Sequence, residues 1–375
     1  MNLGLYIHIP FCRSKCLYCD FCSFPRADAE MLTTYTHALC HDLSARAEVC
    51  RDYTVDTVYF GGGTPTLLPA RLLCAILEAV YSHYRVAERA EISAECNPAT
   101  GNQEGFAAMR KAGFNRLSIG LQSAHANELR ALGRLHTFAD FERTFGQARE
   151  AGFENISADV MSGIPQQTAE SYLQTLERLC ALRPEHISAY GLTVEEGTPF
   201  GRMGERLVLP DEDEARQMYF AGIACLARNG YAQYEISNFA RVGYESRHNL
   251  KYWNCEEYLG FGPAAYSDFG GKRFGNSRDL TAYIKGEEIV CESEMPSLNN
   301  RMNEYVMLRM RLSQGICAKD FEARFGRSFD EAFGKRLKKY ENGGFVRRTD
   351  GGFAFTPEGM YVSNAILSEI LDFDQ

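Results

Sequence analysis

Six short runs rich in apolar and β-branched residues, at 3–9, 55–60, 90–95, 116–121, 155–161 and 186–190, do most to limit what this chain can fold into. Stretches with helical spacing of apolar residues lie between them, at 31–49, 68–84, 105–112, 138–151 and 168–182. Alternation of this kind predicts parallel βαβ units, because parallel neighbours need a crossover long enough to hold a helix. Six such units predict an α/β fold, an incomplete TIM-like (β/α)6 barrel whose functional residues follow the strand ends. Glu95 in SAECNP, Gln122 in SIGLQS and Asp159 in ADVMSGIP occupy that end of consecutive runs. Each has a plainer role as a helix cap or loop partner, but together they point to function. After the second run, Gly61-Gly62-Gly63-Thr64-Pro65 forms a turn with little side chain to keep a ligand from backbone N–H groups; a tight loop is the simpler alternative.

The first run leads into FCRSKCLYCDFCS, which sets thiols at Cys12, Cys16 and Cys19 in the spacing C-x3-C-x2-C. Pro10 opposes a helix there and pushes Ile9 into extended backbone. Three thiolates this close can hold three irons of a [4Fe–4S] cube and leave the fourth open to a small molecule. On spacing alone, two other readings stay open: a structural zinc site, which wants four ligands and typically a second, separate C-x2-C pair, and simple burial of small hydrophobic thiols. Thirteen scattered cysteines, an odd number, fit a reducing cytosol better than a disulfide scaffold. MNLGLYIHIPF lacks a signal-peptide n-region, and no apolar run approaches a membrane span, so the expected location is cytoplasmic. A net charge of −9, from 40 basic and 49 acidic residues, speaks against nucleic acid as the main partner.

Residues 211–230 read as one helix with acids at its start and Gly230 near its stop, followed by a strand at 231–236. His248, Asn249, Tyr252 and Trp253 then form the pattern H-N-x2-Y-W, with Trp253 the only tryptophan. On a helix they lie on adjoining faces. Imidazole can ligate haem iron and flat rings suit a porphyrin, whereas two buried aromatics beside an ordinary histidine are the plainer alternative. Beyond 295–297, helical periods at 302–312, 318–325 and 329–342 and a hairpin through 353–355 follow winged-helix order. Arg336, Lys338, Lys339, Arg347 and Arg348 could face DNA, but a solvated charged face is the commoner explanation. The expected organisation is a barrel over 1–240, a connecting segment with the H-N-x2-Y-W motif over 241–294, and a small winged-helix-like α+β domain over 295–375.

YIHIPFCRSKCLYCDFCS resembles the cluster loop of radical S-adenosylmethionine (SAM) enzymes, specifically the oxygen-independent coproporphyrinogen III oxidase group, and matching motifs run from about 6 to 266. The resemblance implies a [4Fe–4S] cluster on Cys12, Cys16 and Cys19, with SAM on the open iron. It implies SAM contacts from Tyr6 and Tyr18 beside the cluster, and from Gly62, Gly63 and Thr64 along the methionine end. Glu95, Gln122, Arg134 (in LGRLH) and Asp159 match further SAM contacts, with Thr193 and Tyr266 as additional matches. The H-N-x2-Y-W pattern resembles the haem-binding signature of one branch of this family, the haem chaperones, which implies haem at His248, Asn249, Tyr252 and Trp253. The function so implied is delivery of haem to an apo-haem protein, for example a respiratory one, with little or no oxidase activity. Membrane contact through that partner and a homodimer are compatible with it.

The alternative is the oxidase itself, which decarboxylates two propionates with a SAM-derived radical. Two departures count against it. The oxidase carries an extension before the first strand, whereas this sequence starts five residues before Tyr6, and it has a fourth cysteine where this chain has Phe21. Cys22 reads as a packed thiol. By the same resemblance the C-terminal domain is expected to pack on the barrel's open side, as a lid or a protein-interaction element.

Overall fold

The computed structural model describes residues 1–98 and 100–374. Six parallel strands hydrogen-bond in sequence order: β1 (Asn2–Ile9), β2 (Thr54–Gly62), β3 (Val86–Cys96), β4 (Arg116–Gln122), β5 (Asn155–Ser162) and β6 (His186–Gly191). Helices α1 (Ala29–Ala45), α2 (Ala70–His83), α3 (Gln103–Ala112), the short α4 (Ala126–Ala131), α5 (Phe138–Glu150) and α6 (Ala169–Ala181) provide the crossovers. Capping boxes start α5 at Thr137 and α6 at Thr168, each satisfying backbone donors that a helix N-terminus leaves unpaired. α1 stops at Ala45 rather than 49, because the chain turns into a short 3-10 segment, Glu48–Cys50, that buries Cys50.

The strands carry two chemistries on alternate residues. Leu117, Ile119 and Leu121 join the core against the helices, while Arg116, Ser118, Gly120 and Gln122 take the opposite face. In β3, Ile92 and Ala94 alternate likewise with Glu91, Ser93 and Glu95. The register places Tyr59, Ser93 and Arg116 side by side, and Glu95, Ser118, Ser157 and His186 in the next row. The barrel interior is therefore polar, unlike the branched apolar layers that fill a closed TIM barrel.

The sheet extends past both ends of this set to twelve strands. β6 takes Asn238–Ala240 antiparallel, which pairs in turn with Ala232–Gln233. The strand expected over 231–236 shrinks to Ala232–Gln233 because the chain turns there, with Tyr234 N–H donating to the Asn238 carbonyl (3.1 Å) and Ser237 N–H to Glu235 (3.2 Å). On the other side β1 takes Tyr258–Phe261 in parallel, and three antiparallel strands follow, ending with Val290–Glu294. Residues 241–294, read as a connecting segment, thus build part of the sheet.

Between Asn238–Ala240 and Tyr258–Phe261 the chain enters the barrel as the helix Arg247–Trp253 and plugs its floor. Glu91 accepts the N–H groups of Arg247 (3.1 Å) and His248 (3.0 Å), and Ser246 caps the helix from within. Lys251, almost fully buried, pairs with Asp56 at 2.8 Å. A Cβ on Gly4 of β1 would lie 2.9 Å from the Lys251 side chain, so the glycine makes room for the plug.

The C-terminal domain keeps winged-helix order: Leu298–Arg309, Ala318–Phe325, Lys335–Asn342, then the hairpin Val346–Thr349 and Gly352–Phe355. Its own core gathers Phe321, Phe329, Phe333 and Phe353. It spans the open side of the barrel. Ser313 N–H donates to the Tyr234 carbonyl (2.9 Å) on one border, while Arg324 donates to the Cys255 carbonyl (2.6 Å) and Arg301 to the Gly271 carbonyl (2.8 Å) on the other. None of its described residues lines the two cavities at the barrel mouth; its contacts brace the open side. Several of its basic side chains are engaged within the domain: Arg348 with Glu341 (2.8 Å), Lys339 with Glu369, and Arg336 with the Ile370 carbonyl (2.7 Å).

Candidate cofactor site

β1 delivers the cysteine loop to the C-terminal end of the barrel. Phe11–Cys12 pairs with Phe24–Pro25, and Phe24 N–H donates to the Pro10 carbonyl at 2.7 Å, which closes the base of the loop. The glycine turn backs it, with Gly63 N–H on the Ile9 carbonyl (2.9 Å) and Thr64 N–H on the Phe11 carbonyl (2.7 Å). A Cβ on Gly63 would sit 2.6 Å from the Phe11 carbonyl oxygen; one on Gly62, at φ +110°, would sit 2.6 Å from the His8 ring. Close packing of the loop, rather than access for a ligand alone, thus demands these glycines. Gly62 N–H is already engaged by Glu95 at 3.2 Å.

Cys12, Cys16 and Cys19 all border one cavity of about 400 Å³. The Thr64 hydroxyl lies 3.6 Å from Cys12 Sγ, and Arg134 Nη1 lies 3.6 Å from Cys16 Sγ while its Nη2 donates to the Gly120 carbonyl (2.6 Å). Burial pushes the Cys12 and Cys19 thiols up, so a metal is what would keep such sulfurs ionised here. Among the described residues, no three Cys, His, Asp or Glu side chains converge as one ion would require. A four-iron cube takes each thiolate on a different corner, so this donor set suits a cube better than zinc.

The rest of the cavity is polar. Glu95 accepts from the Tyr59 hydroxyl (2.9 Å), and burial raises its carboxyl to about 7. Asp159, also raised by burial, accepts from Ser118 (2.9 Å); Gln122, at φ +69°, accepts from Tyr190 (3.0 Å). Arg116 and Arg134 both border the cavity, and the Nε of each is buried with no partner among the described residues. Orphaned buried donors on a cavity wall suit an anionic or carboxylate-bearing ligand. Tyr59, Arg116, Ser118, Ser188 and Tyr190 were not among the sequence candidates. Their signal was the polar residue at every second position of runs that read as simply apolar, as in RLSIGLQ.

A second cavity, of about 450 Å³, adjoins the first and shares Gly62, Glu95 and Phe21 with it. The predicted SAM contacts divide between them: Tyr18, Gly63, Thr64, Gln122, Arg134 and Asp159 face the cysteines, whereas Tyr6 and Tyr266 face the second chamber. Thr193 is exposed beyond β6 and borders neither. Cys22 is largely buried, its Sγ 3.9 Å from the Arg278 carbonyl, on the wall of the second cavity.

The H-N-x2-Y-W segment is helical, but the fold spends its side chains inward. Asn249 borders the cysteine chamber and Tyr252 the second one, while the half-buried Trp253 borders neither. His248 is 1% exposed, with Nδ1 bonded to the Thr57 hydroxyl (2.8 Å), Nε2 to the Tyr252 hydroxyl (2.9 Å), and its ring stacked on Tyr59 at 5.2 Å. Burial lowers its pKa to about 3, so the imidazole is neutral. An iron ligand needs a free ring nitrogen, and in this arrangement His248 has none.

Comparison with known proteins places this architecture. Residues 6–179 match the Radical SAM superfamily and residues 297–362 the HemN C-terminal domain. Heme chaperone HemW of Bacillus subtilis (strain 168) is 33% identical over 376 residues, and that of Escherichia coli (strain K12) 32% identical over 374, each alignment covering 98% of both chains. The structure of coproporphyrinogen III oxidase (HemN) from Escherichia coli, described as a radical SAM enzyme, matches with a TM-score of 0.86 at 22% identity, over 98% of this chain and 90% of that one. That likeness establishes a shared fold. With full-length relatives above the identity at which family membership is secure, the chain belongs to the HemW family of the radical SAM superfamily.

Proposed function

We propose that the chain is a haem chaperone that carries a [4Fe–4S] cluster and SAM at the barrel mouth and passes haem to an apo-haem protein. The observation that carries this reading is the end-to-end similarity to heme chaperone HemW, in a chain whose three loop thiols share a cavity with two buried guanidinium groups. Cys12, Cys16 and Cys19 would hold the cube. Tyr18, Gly63, Thr64, Gln122, Arg134 and Asp159 would face SAM on its open iron, with Gly62 and Glu95 on the wall shared with the second chamber; of the other matches, Tyr6 and Tyr266 border that second chamber and Thr193 borders neither. When bound, the cluster and SAM supply one-electron chemistry at a carbon–sulfur bond.

The chain's own groups orient and shield. Arg134 offsets negative charge at Cys16 and is itself fixed by the Gly120 carbonyl. Glu95, near neutrality at about 7, offers an acceptor for a cationic amine on the wall common to both chambers. Haem is assigned to the H-N-x2-Y-W segment (His248, Asn249, Tyr252 and Trp253) by its resemblance to the haem-binding signature, with Tyr252 the member that borders the second chamber and His248 behind it. A cytoplasmic location, a respiratory acceptor, membrane contact through that acceptor and a homodimer tuned by the cofactors belong to the same reading. Among the described residues, no helix is long and apolar enough to cross a membrane.

Anaerobically reconstituted protein should bind haem and leave coproporphyrinogen III unchanged in the presence of SAM and reductant. Conversion to protoporphyrinogen would reverse the assignment in favour of the oxidase. His248→Ala should weaken haem binding while the iron–sulfur absorbance persists.

A further inference from the structure

We infer that the second, tyrosine-walled chamber is the haem pocket, and that His248 acts as a positioning residue beneath it rather than as the iron ligand. This rests on the chaperone reading and adds the place where the porphyrin lies. The cavity, about 450 Å³, falls in the size range of small-molecule pockets, which runs to roughly 1,000 Å³. Its chemistry differs from that of its neighbour. The cysteine chamber spreads Tyr18, Tyr59 and Tyr190 among guanidinium groups, carboxylates and hydroxyls; the smaller set of residues around the second concentrates Tyr6, Tyr252, Tyr258 and Tyr266, four flat rings with polar tips. Its charged groups Asp20, Arg278 and Glu292 are exposed at the rim and Glu95 lies on the shared wall, so the concentrated aromatic surface between them suits a flat macrocycle better than a zwitterionic amino acid.

Two rim residues point the same way. Phe21 is 68% exposed at the divide between the chambers, a large apolar ring left in water by folding. Arg278, with 64% of its side chain exposed, is held at the mouth by Asp20 of the cysteine loop at 3.1 Å. A propionate from a seated porphyrin can replace Asp20 on that guanidinium in bidentate form. Tyr266, 46% exposed, donates its hydroxyl to Glu292 (3.1 Å) and closes the same rim.

The floor explains why the H-N-x2-Y-W motif matters without supplying the ligand. Freeing either nitrogen of His248 breaks its bond to Thr57 or to Tyr252, inside a helix tied down by Glu91 and by the Lys251–Asp56 pair. Seen from the second chamber, the motif residue within reach is Tyr252, whose hydroxyl His248 Nε2 fixes from below. Loss of His248 therefore loosens a wall and leaves the iron's own coordination as it was.

The test is a haem titration of the full-length, cluster-loaded chain. Tyr266→Ala and Arg278→Ala, both at exposed positions that spare the fold, should each raise the haem Kd by about tenfold with the iron–sulfur absorbance unchanged. His248→Ala should bind more weakly yet keep the wild-type haem absorption and resonance Raman spectra; Tyr252→Phe, which keeps the ring, should do the same more mildly. Wild-type haem affinity in both rim variants would remove this pocket and leave the chaperone reading standing, as would a changed axial-ligand signature in His248→Ala. A wild-type chain that takes up no haem would remove both.

Discussion

The floor and the mouth of this barrel are built from the same strands, yet they treat polar side chains in opposite ways. At the floor the plug helix answers strand polar groups one by one: Thr57 meets His248, Glu91 meets two backbone N–H groups, and Asp56 meets Lys251. At the mouth the matches stop short. Arg116 and Arg134 keep unpartnered buried nitrogens, and burial holds Glu95 and Asp159 above the usual carboxylate range. A polar residue inside a barrel strand is therefore not in itself the mark of a site; the mark is polarity that the fold leaves unsatisfied.

That contrast can be broken, and the sharpest attempt is Cys16→Ser. It should abolish iron–sulfur absorbance after anaerobic reconstitution while the far-UV circular dichroism stays that of the parent, since the floor is untouched. Gly63→Ala should come next, destabilising by about 2–3 kcal/mol in urea and impairing cluster assembly, because the added methyl meets the Phe11 carbonyl. Normal stability and a full cluster in that variant would mean the turn is more plastic than its packing indicates.

A smaller effect is expected at the floor. Thr57→Val leaves His248 Nδ1 unpaired and should cost about 1–2 kcal/mol with cluster content unaltered. Cluster loss in Thr57→Val would show that the two ends are coupled after all, through Tyr59, which stacks on His248 and bonds Glu95. The mildest change concerns Glu235, fully buried where the C-terminal domain meets the barrel, with its carboxyl raised by burial from 4.5 to about 7. A raised acid is favoured in its neutral form, so its contribution is complete below about 4.5 and is lost as pH climbs through about 7. Glu235→Gln, permanently neutral, should flatten the stability profile across that interval; an unchanged slope would place the titration elsewhere.

Much of the fold was legible because its signals are local. Strand–helix alternation and Pro10 ahead of Cys12, Cys16 and Cys19 need no knowledge of what lies across the sheet, and β1–β6 fall where the apolar runs put them. The parts that were hidden depend on distant partners. Arg116 and Ser118 sit in a run that looks hydrophobic until register turns its alternate residues inward. His248 looked available because Thr57, which occupies Nδ1, lies 191 residues away in the chain. The tyrosine chamber could not be read at all, since Tyr6 meets Tyr258 and Tyr266 only once Tyr258–Phe261 pairs with β1.

The grip of Ser313 on one margin and Arg324 on the other has a mechanical consequence. A ring that is cut on one side widens by flexing, without breaking a single bond between its strands, and whatever straddles the cut sets the aperture. The two margins of that cut are thus tied together by a domain none of whose described residues borders either chamber.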